Sequence, residues 1–436
     1  MIGIVVSEPD EASVAIGEQL QQLGEWSPTD DRAGYRRGNV ALRTFDDIHL
    51  SLESVANAFA DPSLIVFVSR HAGETGPLLT THFPGNIGSA DYGGEPHTVP
   101  QAAPAALDVV YRRLVDETPE GFDVGIECTH HGPSHVGAPC LFVEVGSGPD
   151  EWRDERAAQA VARAVSALAD VSLESSEHTI VGLGGDHYAP RFERILAETD
   201  WQVGHIAADW AIDELPDAET TRAVVTSLFE ASGTTIAVGD GIDDDLSALV
   251  ESLGYRVVSE TWVRETDRVP LDLVEVIENA LGSIDDGTRI GHRLDVDPSI
   301  VSRVTFPDEL IDELQAADRP ETIETWRAAT TAYRTIENGN RLTGEVLLPE
   351  TIDPSTIVDA SIPILDRRYD EVTWDDRHIE ILDRAFDPAK AIERGVPEGP
   401  AFGRLADGES ITIDGTVIEP EQVSSTEHRL IKALPH

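Results

Sequence analysis

Nine of the chain's fourteen histidines fall between His71 and His205, where even spacing would place only about four. Several of them follow short apolar runs. Ser69-Arg70-His71 leaves the run at 64–68, and Glu127-Cys128-Thr129-His130-His131-Gly132-Pro133-Ser134 leaves the run at 124–127. Gly182-Leu-Gly184-Gly185-Asp186-His187-Tyr188-Ala-Pro190 exits a third run through glycines, and Gly204-His205 closes a fourth. Imidazole serves both proton transfer near neutral pH and metal ligation. A histidine just past a strand end is placed for either role. The competing reading is a polar strand cap for His71 and a satisfied core side chain for His205.

The neighbours of these histidines narrow the chemistry. Adjacent histidines in an extended segment point to opposite faces, so His130 and His131 need the Gly132-Pro133 break to bring both rings to one place. Cys128 is either a small core residue or a soft donor. No H-E-x-x-H or C-x-x-C pattern is present. Gly184 and Gly185 let the backbone come close to a substrate. They do not form a dinucleotide fingerprint, because His187 stands where the third glycine belongs. Glu144 is a carboxylate inside an apolar run; unless it faces solvent, it needs a metal, a histidine or an arginine beside it. The segment 80–86, Thr80-Thr81-His82-Phe-Pro-Gly-Asn86, reads as a turn with a solvated His82. His97, His135 and His178 read as bystanders, and the run 240–245 as a helix start, not a calcium loop.

These motifs need strands to present them. Buried strands are predicted at 2–6, 64–68, 124–127, 141–145, 180–183 and 236–238. Apolar residues at helical spacing lie at 11–23, 102–115, 151–168 and 218–229. That alternation predicts an α/β domain over 1–265, with a mixed, largely parallel sheet and helices on both faces. Functional residues of such sheets gather at the carboxyl ends of strands. From 266 to 436 the pattern changes to helices at 271–281, 307–314 and 321–333 and two short strands at 411–413 and 416–418. This reads as a smaller α+β C-terminal region.

Composition bounds the remainder. A chain of 436 residues with 40% hydrophobic side chains is too long for one core and too apolar for disorder. No apolar run approaches the roughly 18 residues of a membrane span. The N-terminus reads as a first strand, not a signal peptide, and the two cysteines, Cys128 and Cys140, give no disulfide framework. A cytoplasmic protein without a membrane partner is the expectation, and nothing requires more than a monomer. Acidic residues number 81 against 32 basic ones, a net charge of −49, with Lys390 and Lys432 the only lysines. Acidity spread over the whole chain points to adaptation to concentrated salt. There the Debye length is about 3 Å, so the negative charge does not exclude a nucleic-acid substrate.

Taken together and in order, Ser69-Arg70-His71, Thr81-His82-Phe-Pro-Gly-Asn86, Thr129-His130-His131-Gly-Pro-Ser134, Gly182-Leu-Gly-Gly-Asp186-His187-Tyr188 and Gly204-His205-Ile206 resemble the archaeal and plant type of D-aminoacyl-tRNA deacylase. The resemblance covers residues 1–265. It implies a fold related to peptidyl-tRNA hydrolase and phosphorylase-like proteins, and a zinc-dependent hydrolysis of the ester joining a D-amino acid to tRNA. The acidity fits a haloarchaeal member. One departure is Ala208-Asp209-Trp210, which stands where the family tends to carry Pro-Lys-Tyr. Short stretches at 395–403 and 418–423 are similar to a segment of tRNA 3′-end-processing ribonucleases, which would make 266–436 a tRNA-handling extension.

The expected roles follow. His71, His130, His187, His205 and Glu144 are the candidate zinc ligands. His130, His131, Asp186, His187 and Glu127 are the candidates for acid–base work, with Arg70 steadying an oxyanion or phosphate. Ser69, Thr81, Gly184, Gly185 and Tyr188 would touch substrate. Arg32, Arg36, Arg37, Arg112 and Arg113 are either tRNA contacts or solvated helix faces. Two other classes of function stand beside this one: a metal-dependent amidohydrolase or peptidase on a small substrate, and a non-catalytic tRNA- or metal-binding protein.

Overall fold

The computed structural model describes residues 1–29, 34–174, 176–375 and 377–434. They form two compact units, Met1–Arg268 and Val269–His436. The first carries strands β1 (Ile2–Ser7), β2 (Ser27–Pro28), β3 (Gly34–Arg37), β4 (Val40–Phe45), β5 (Leu64–Arg70), β6 (Leu78–His82), β7 (Asp123–Ile126), β8 (Cys140–Gly146), β9 (Thr179–Gly184), β10 (Gln202–Ala207), β11 (Ile236–Asp240) and β12 (Arg256–Val258). β1 to β8 build one sheet in the order β2-β3-β4-β1-β5-β8-β6-β7, and β10-β9-β11-β12 build a second. β4, β1, β5 and β8 run parallel; β6 is antiparallel to β8 and parallel to β7. The second sheet is parallel throughout. The α/β class holds, with the mixed, largely parallel strands shared between two sheets.

The central strands are apolar on both faces because both faces are covered. Helices Glu11–Gln22, Pro104–Glu117 and Glu155–Ala167 pack against one another and against the first sheet. Asp10 caps the first helix by accepting from Ser13 N at 3.1 Å. The helix expected at 151–168 is two, Pro149–Trp152 and Glu155–Ala167, because Asp154 caps the second and restarts it. The opposite face of the sheet buries Ile65, Phe67, Cys140 and Phe142 under Val55, Ala56 and Phe59. Phe67 and Phe142 stack there at 4.5 Å.

Strand alternation then continues this apolar face into a polar one. Two residues past Phe67 comes Ser69, and two past Phe142 comes Glu144. In register, Ser69 pairs with Glu144, Thr80 with Glu144, and His82 with Phe142. The segment expected as a turn at 80–86 therefore begins as the buried end of β6, with His82 fully inside.

Beyond β7 the chain stitches the two sheets together. Glu127 N–H donates to Thr81 O, Cys128 N–H to His187 O at 2.9 Å, and Thr129 N–H to Ile206 O at 2.8 Å. A single antiparallel bridge joins Glu127 to Tyr188. The Glu127–His131 motif is thus the seam between the sheets, and the loop after β9 is its other edge.

The second unit is α+β. Helix Leu271–Leu281, helix Asp308–Ala329 and helix Ser355–Asp366 accompany antiparallel sheets of four, three and two strands. Helix Asp308–Ala329 is kinked at Asp318, two residues ahead of Pro320, which explains the separate helices expected at 307–314 and 321–333. The second of those ends at Ala329, and 332–336 is strand paired with Arg341–Pro349. The hairpin strands Ile411–Ile413 and Thr416–Ile418 are as expected.

Gly184 closes β9 with φ +92°, and a Cβ there would meet the Asp240 carbonyl oxygen at 2.3 Å. Gly184→Ala is expected to lower unfolding free energy by about 2 kcal/mol. Denaturant unfolding reads this directly, and an unchanged midpoint would show that the β9–β11 contact tolerates a side chain.

Candidate active site

Two carboxylates lie at the centre, Glu127 at the seam and Glu144 in β8, both buried. Glu127 receives His187 Nε2–H at 2.8 Å and the Thr80 hydroxyl. Its oxygens also lie 3.5 Å from His71 Nδ1 and 3.7 Å from His130 Nε2. Glu144 accepts from Ser69 Oγ at 2.6 Å and lies 3.7 Å from His71 Nδ1 and 3.8 Å from His82 Nε2. The far side of His71 meets the Tyr188 hydroxyl at 3.0 Å.

Three imidazoles share one arrangement. His82, His130 and His131 each place Nδ1 against a backbone carbonyl, that of Phe83 at 3.1 Å, Cys128 at 2.8 Å and Gly132 at 2.8 Å. A carbonyl only accepts, so Nδ1 carries a hydrogen and Nε2 is the atom that takes a metal or a second proton. His131 adopts a left-handed backbone, φ +47°. That turn defeats the strand alternation and brings its ring 4.5 Å from His130 and 4.9 Å from His82. The three offer ring nitrogens within 4.8 Å of one another; the same spacing holds for the thiol of Cys128 with His130 and His187, and for His71 with the carboxylates of Glu127 and Glu144. His82 Nε2 is buried with no hydrogen-bond partner. Imidazoles oriented through Nδ1 by a carbonyl, with Nε2 left open, are the usual preparation of a metal site.

The electrostatics separate the imidazoles into two groups. Burial pushes the Glu127 carboxyl up, but the hydrogen bond from His187 and the neighbouring imidazoles outweigh it and hold it at about 2. Burial likewise opposes ionisation of Glu144, and the His71 and His82 imidazoles close beside it reverse the sign and keep it well below the ordinary range. His71 and His82 lose to burial and gain more from the two carboxylates, so both are raised. Burial dominates at His130 and His131, the latter lowered to about 4, so these two are neutral at pH 7 and available as donors.

Residues 58–258 match the family model described as D-aminoacyl-tRNA deacylase. A D-aminoacyl-tRNA deacylase of Natronomonas pharaonis is 45% identical over 98% of this chain and 99% of its own length. One of Haloarcula marismortui is 43% identical over 97% and 98%, and one of Methanococcoides burtonii 30% over 97% and 94%. This chain belongs to the D-aminoacyl-tRNA deacylase family. The alignments with these deacylases run through 269–436, so the second unit is shared with them. Among solved structures, a conserved protein of unknown function superposes with TM-score 0.56 at 28% identity, over 62% of this chain and 99% of that one.

Within this deacylase-family fold, the residues singled out in the sequence divide. His71, Glu127, His130, His131, Glu144, His187 and Tyr188 meet in one cluster. Ser69 is buried and orients Glu144. His82 and Thr80, set aside or overlooked in the sequence, belong to the cluster; the signal was that both end a strand whose two faces are buried. His205 does not join. Its Nε2–H donates to Pro100 O at 2.8 Å, and Nδ1 accepts from Thr129 Oγ1 at 2.9 Å, so no lone pair remains for a metal. Thr81 is buried and spends its hydroxyl on Phe142 O, away from any substrate. Asp186 is exposed and outside the cluster. The Arg70 guanidinium lies over the Trp152 ring at 5.1 Å. Gly184 and Gly185 face Asp240, which a Cβ on either would strike, so their freedom serves the β9–β11 approach. Arg112 and Arg37 are tied to backbone carbonyls, Arg36 to Gly38 O, Arg113 sits near Asp116, and Arg32 lies outside the described residues.

His205 supplies a pH test. Burial lowers it from 6.5 to about 4, so between those values the unfolded chain binds a proton that the folded chain refuses. Stability is full above about pH 6.5 and falls as pH drops toward 4, by about 2 kcal/mol between pH 7 and 5 for this residue alone. His205→Gln is expected to be less stable at pH 7 yet to lose less on acidification. Denaturant unfolding at the two pH values reads both, and an undiminished acid loss in the variant would remove His205 from the account.

Proposed function

We propose that this chain hydrolyses the ester joining a D-amino acid to the 3′ end of tRNA, releasing free tRNA and the D-amino acid, and that the histidine–glutamate cluster is its active site. The observation that carries the assignment is the set His82, His130 and His131, three imidazoles locked through Nδ1 by backbone carbonyls, so that Nε2 is the atom each would offer a metal; at His82 the metal would take the place of the proton that Glu144 favours. Such a set fits zinc, whose catalytic sites take three protein donors and leave one position open. The orphaned His82 Nε2 supports the same reading. Zinc held there would supply Lewis acidity toward the ester carbonyl and a more acidic water.

The chain's own residues do the rest. His187 is 34% exposed, against 18% for His130 and 5% or less for His71 and His82. With its Nε2–H committed to Glu127, its Nδ1, which faces the Cys128 thiol at 3.7 Å, is the basic atom; it exchanges that weak contact for the attacking water, takes the water's proton and returns it to the departing ribose oxygen. Glu127 fixes the tautomer and stabilises the imidazolium once formed, as a buried carboxylate does in a catalytic triad. Glu144 and Ser69 hold His71, which in turn holds the Tyr188 hydroxyl at the opening. A D-amino acid ester reaches these groups from the exposed side of His187. The second unit is assigned to engaging the tRNA beyond its acceptor end, in a cytoplasmic setting.

His187→Ala is expected to lower kcat on D-aminoacyl-tRNA by about 10²- to 10⁴-fold with the fold intact. Deacylation assays at high salt with D- and L-charged tRNA, before and after chelation and after zinc is restored, test the whole reading. Equal hydrolysis of a free amino-acid ester would point to a small-substrate hydrolase, and full activity after rigorous chelation would sink the zinc assignment.

A further inference from the structure

Among the described residues, the exposed aromatic side chains are Tyr35, Tyr92, Tyr188 and Trp210. All but Tyr35 stand at the histidine cluster. Tyr188 bonds His71, while Tyr92 and Trp210 line a cavity of about 210 Å³ whose wall includes His130, His131 and His187. Tyr92 is 72% exposed and Trp210 45%. Isolated apolar side chains on a surface are ordinary, whereas large rings gathered at the mouth of a reactive site mark a binding surface. Trp210 is also held in place. The Asp209 N–H donates to Gly185 O at 2.9 Å, which ties the short helix Asp209–Asp213 to the turn presenting His187.

The charge of that wall decides what the rings are for. It contains no lysine or arginine; apart from histidines its charged groups are Asp91 and Glu214. A polyanion entering here finds no lysine or arginine to grip its phosphates. Every base has a π face, and stacking on Trp or Tyr does not weaken with salt as phosphate contacts do. We propose that Trp210 and Tyr92 form the stacking platform for the base at the 3′ end of the tRNA, holding the aminoacyl ester against His130 and His187. This rests on the deacylase reading above.

The test measures kcat and KM on tRNA charged with D-alanine and with D-tyrosine. Trp210→Ala is expected to raise KM about tenfold with kcat within about twofold, for both amino acids alike. Trp210→Phe restores most of the loss, Tyr92→Ala shares it, and Tyr35→Ala, remote from the cavity, leaves both constants unchanged. Adenosine monophosphate is expected to quench the fluorescence of the wild type and not of Trp210→Phe. A wild-type KM in Trp210→Ala overturns the platform. So does a loss confined to D-tyrosine, which would mean that the amino-acid ring is what stacks, and so does equal quenching of the two proteins. Failure of the wild type to hydrolyse either substrate would instead overturn the deacylase reading.

Discussion

Two ionised carboxylates buried side by side in one protein interior set the terms for everything around them. An unpaired charge at Glu127 or Glu144 would carry a desolvation penalty of several kcal/mol. Each is therefore surrounded by polar groups: His187 and the Thr80 hydroxyl donate to Glu127, with His71 and His130 close by, and Ser69 donates to Glu144, with His71 and His82 close by. These groups come from the ends of β5, β6 and β9 and from the seam after β7. None can leave without exposing a carboxylate to an apolar interior. The cluster is thus held rigid: its charges are paired, it is largely buried, and the imidazoles have only one way to face.

That packing also explains why the two sheets meet where they do. Backbone bonds from Cys128 and Thr129 to His187 and Ile206 make the seam, and the side chains projecting from it are the ones that complete the carboxylate shells. Behind the cluster, Phe142 stacks under His82 at 5.3 Å and Phe67 under Phe142, so the polar site rests on an apolar floor. His205, on the far side of the seam, is a structural histidine whose two bonds fasten Thr129 and Pro100.

The acidic surface has a separate logic. Arginines of the first unit are largely engaged by carboxylates, as in Arg194 with Glu260, Arg264 with Glu198 and Arg268 with Asp200. Each such exposed pair is worth about 1 kcal/mol or less, and together they leave few cations free for a nucleic acid. Recognition of a tRNA end by ring stacking and by a shaped, histidine-lined cavity is consistent with that scarcity.

The sequence by itself determined the α/β class, the strand ends at which the histidines gather and the identity of most cluster members, because apolar periodicity and strand-end position are local properties. His71, Glu127, His130, Glu144 and His187 could be picked out for that reason. It could not determine which histidines share a partner. The sequence puts His82 in a turn and His205 at the end of an apolar run, yet it is His82 that sits beside Glu144 with an unbonded nitrogen, whereas His205 has both nitrogens bonded. Likewise Thr80 and Thr81 differ by one position and face opposite sides of β6, one toward Glu127 and the other toward Phe142 O. Those outcomes depend on strand register, on the antiparallel return of β6 beside β8, and on the left-handed turn at His131. These are set by packing between segments far apart in the chain, which only the tertiary structure decides.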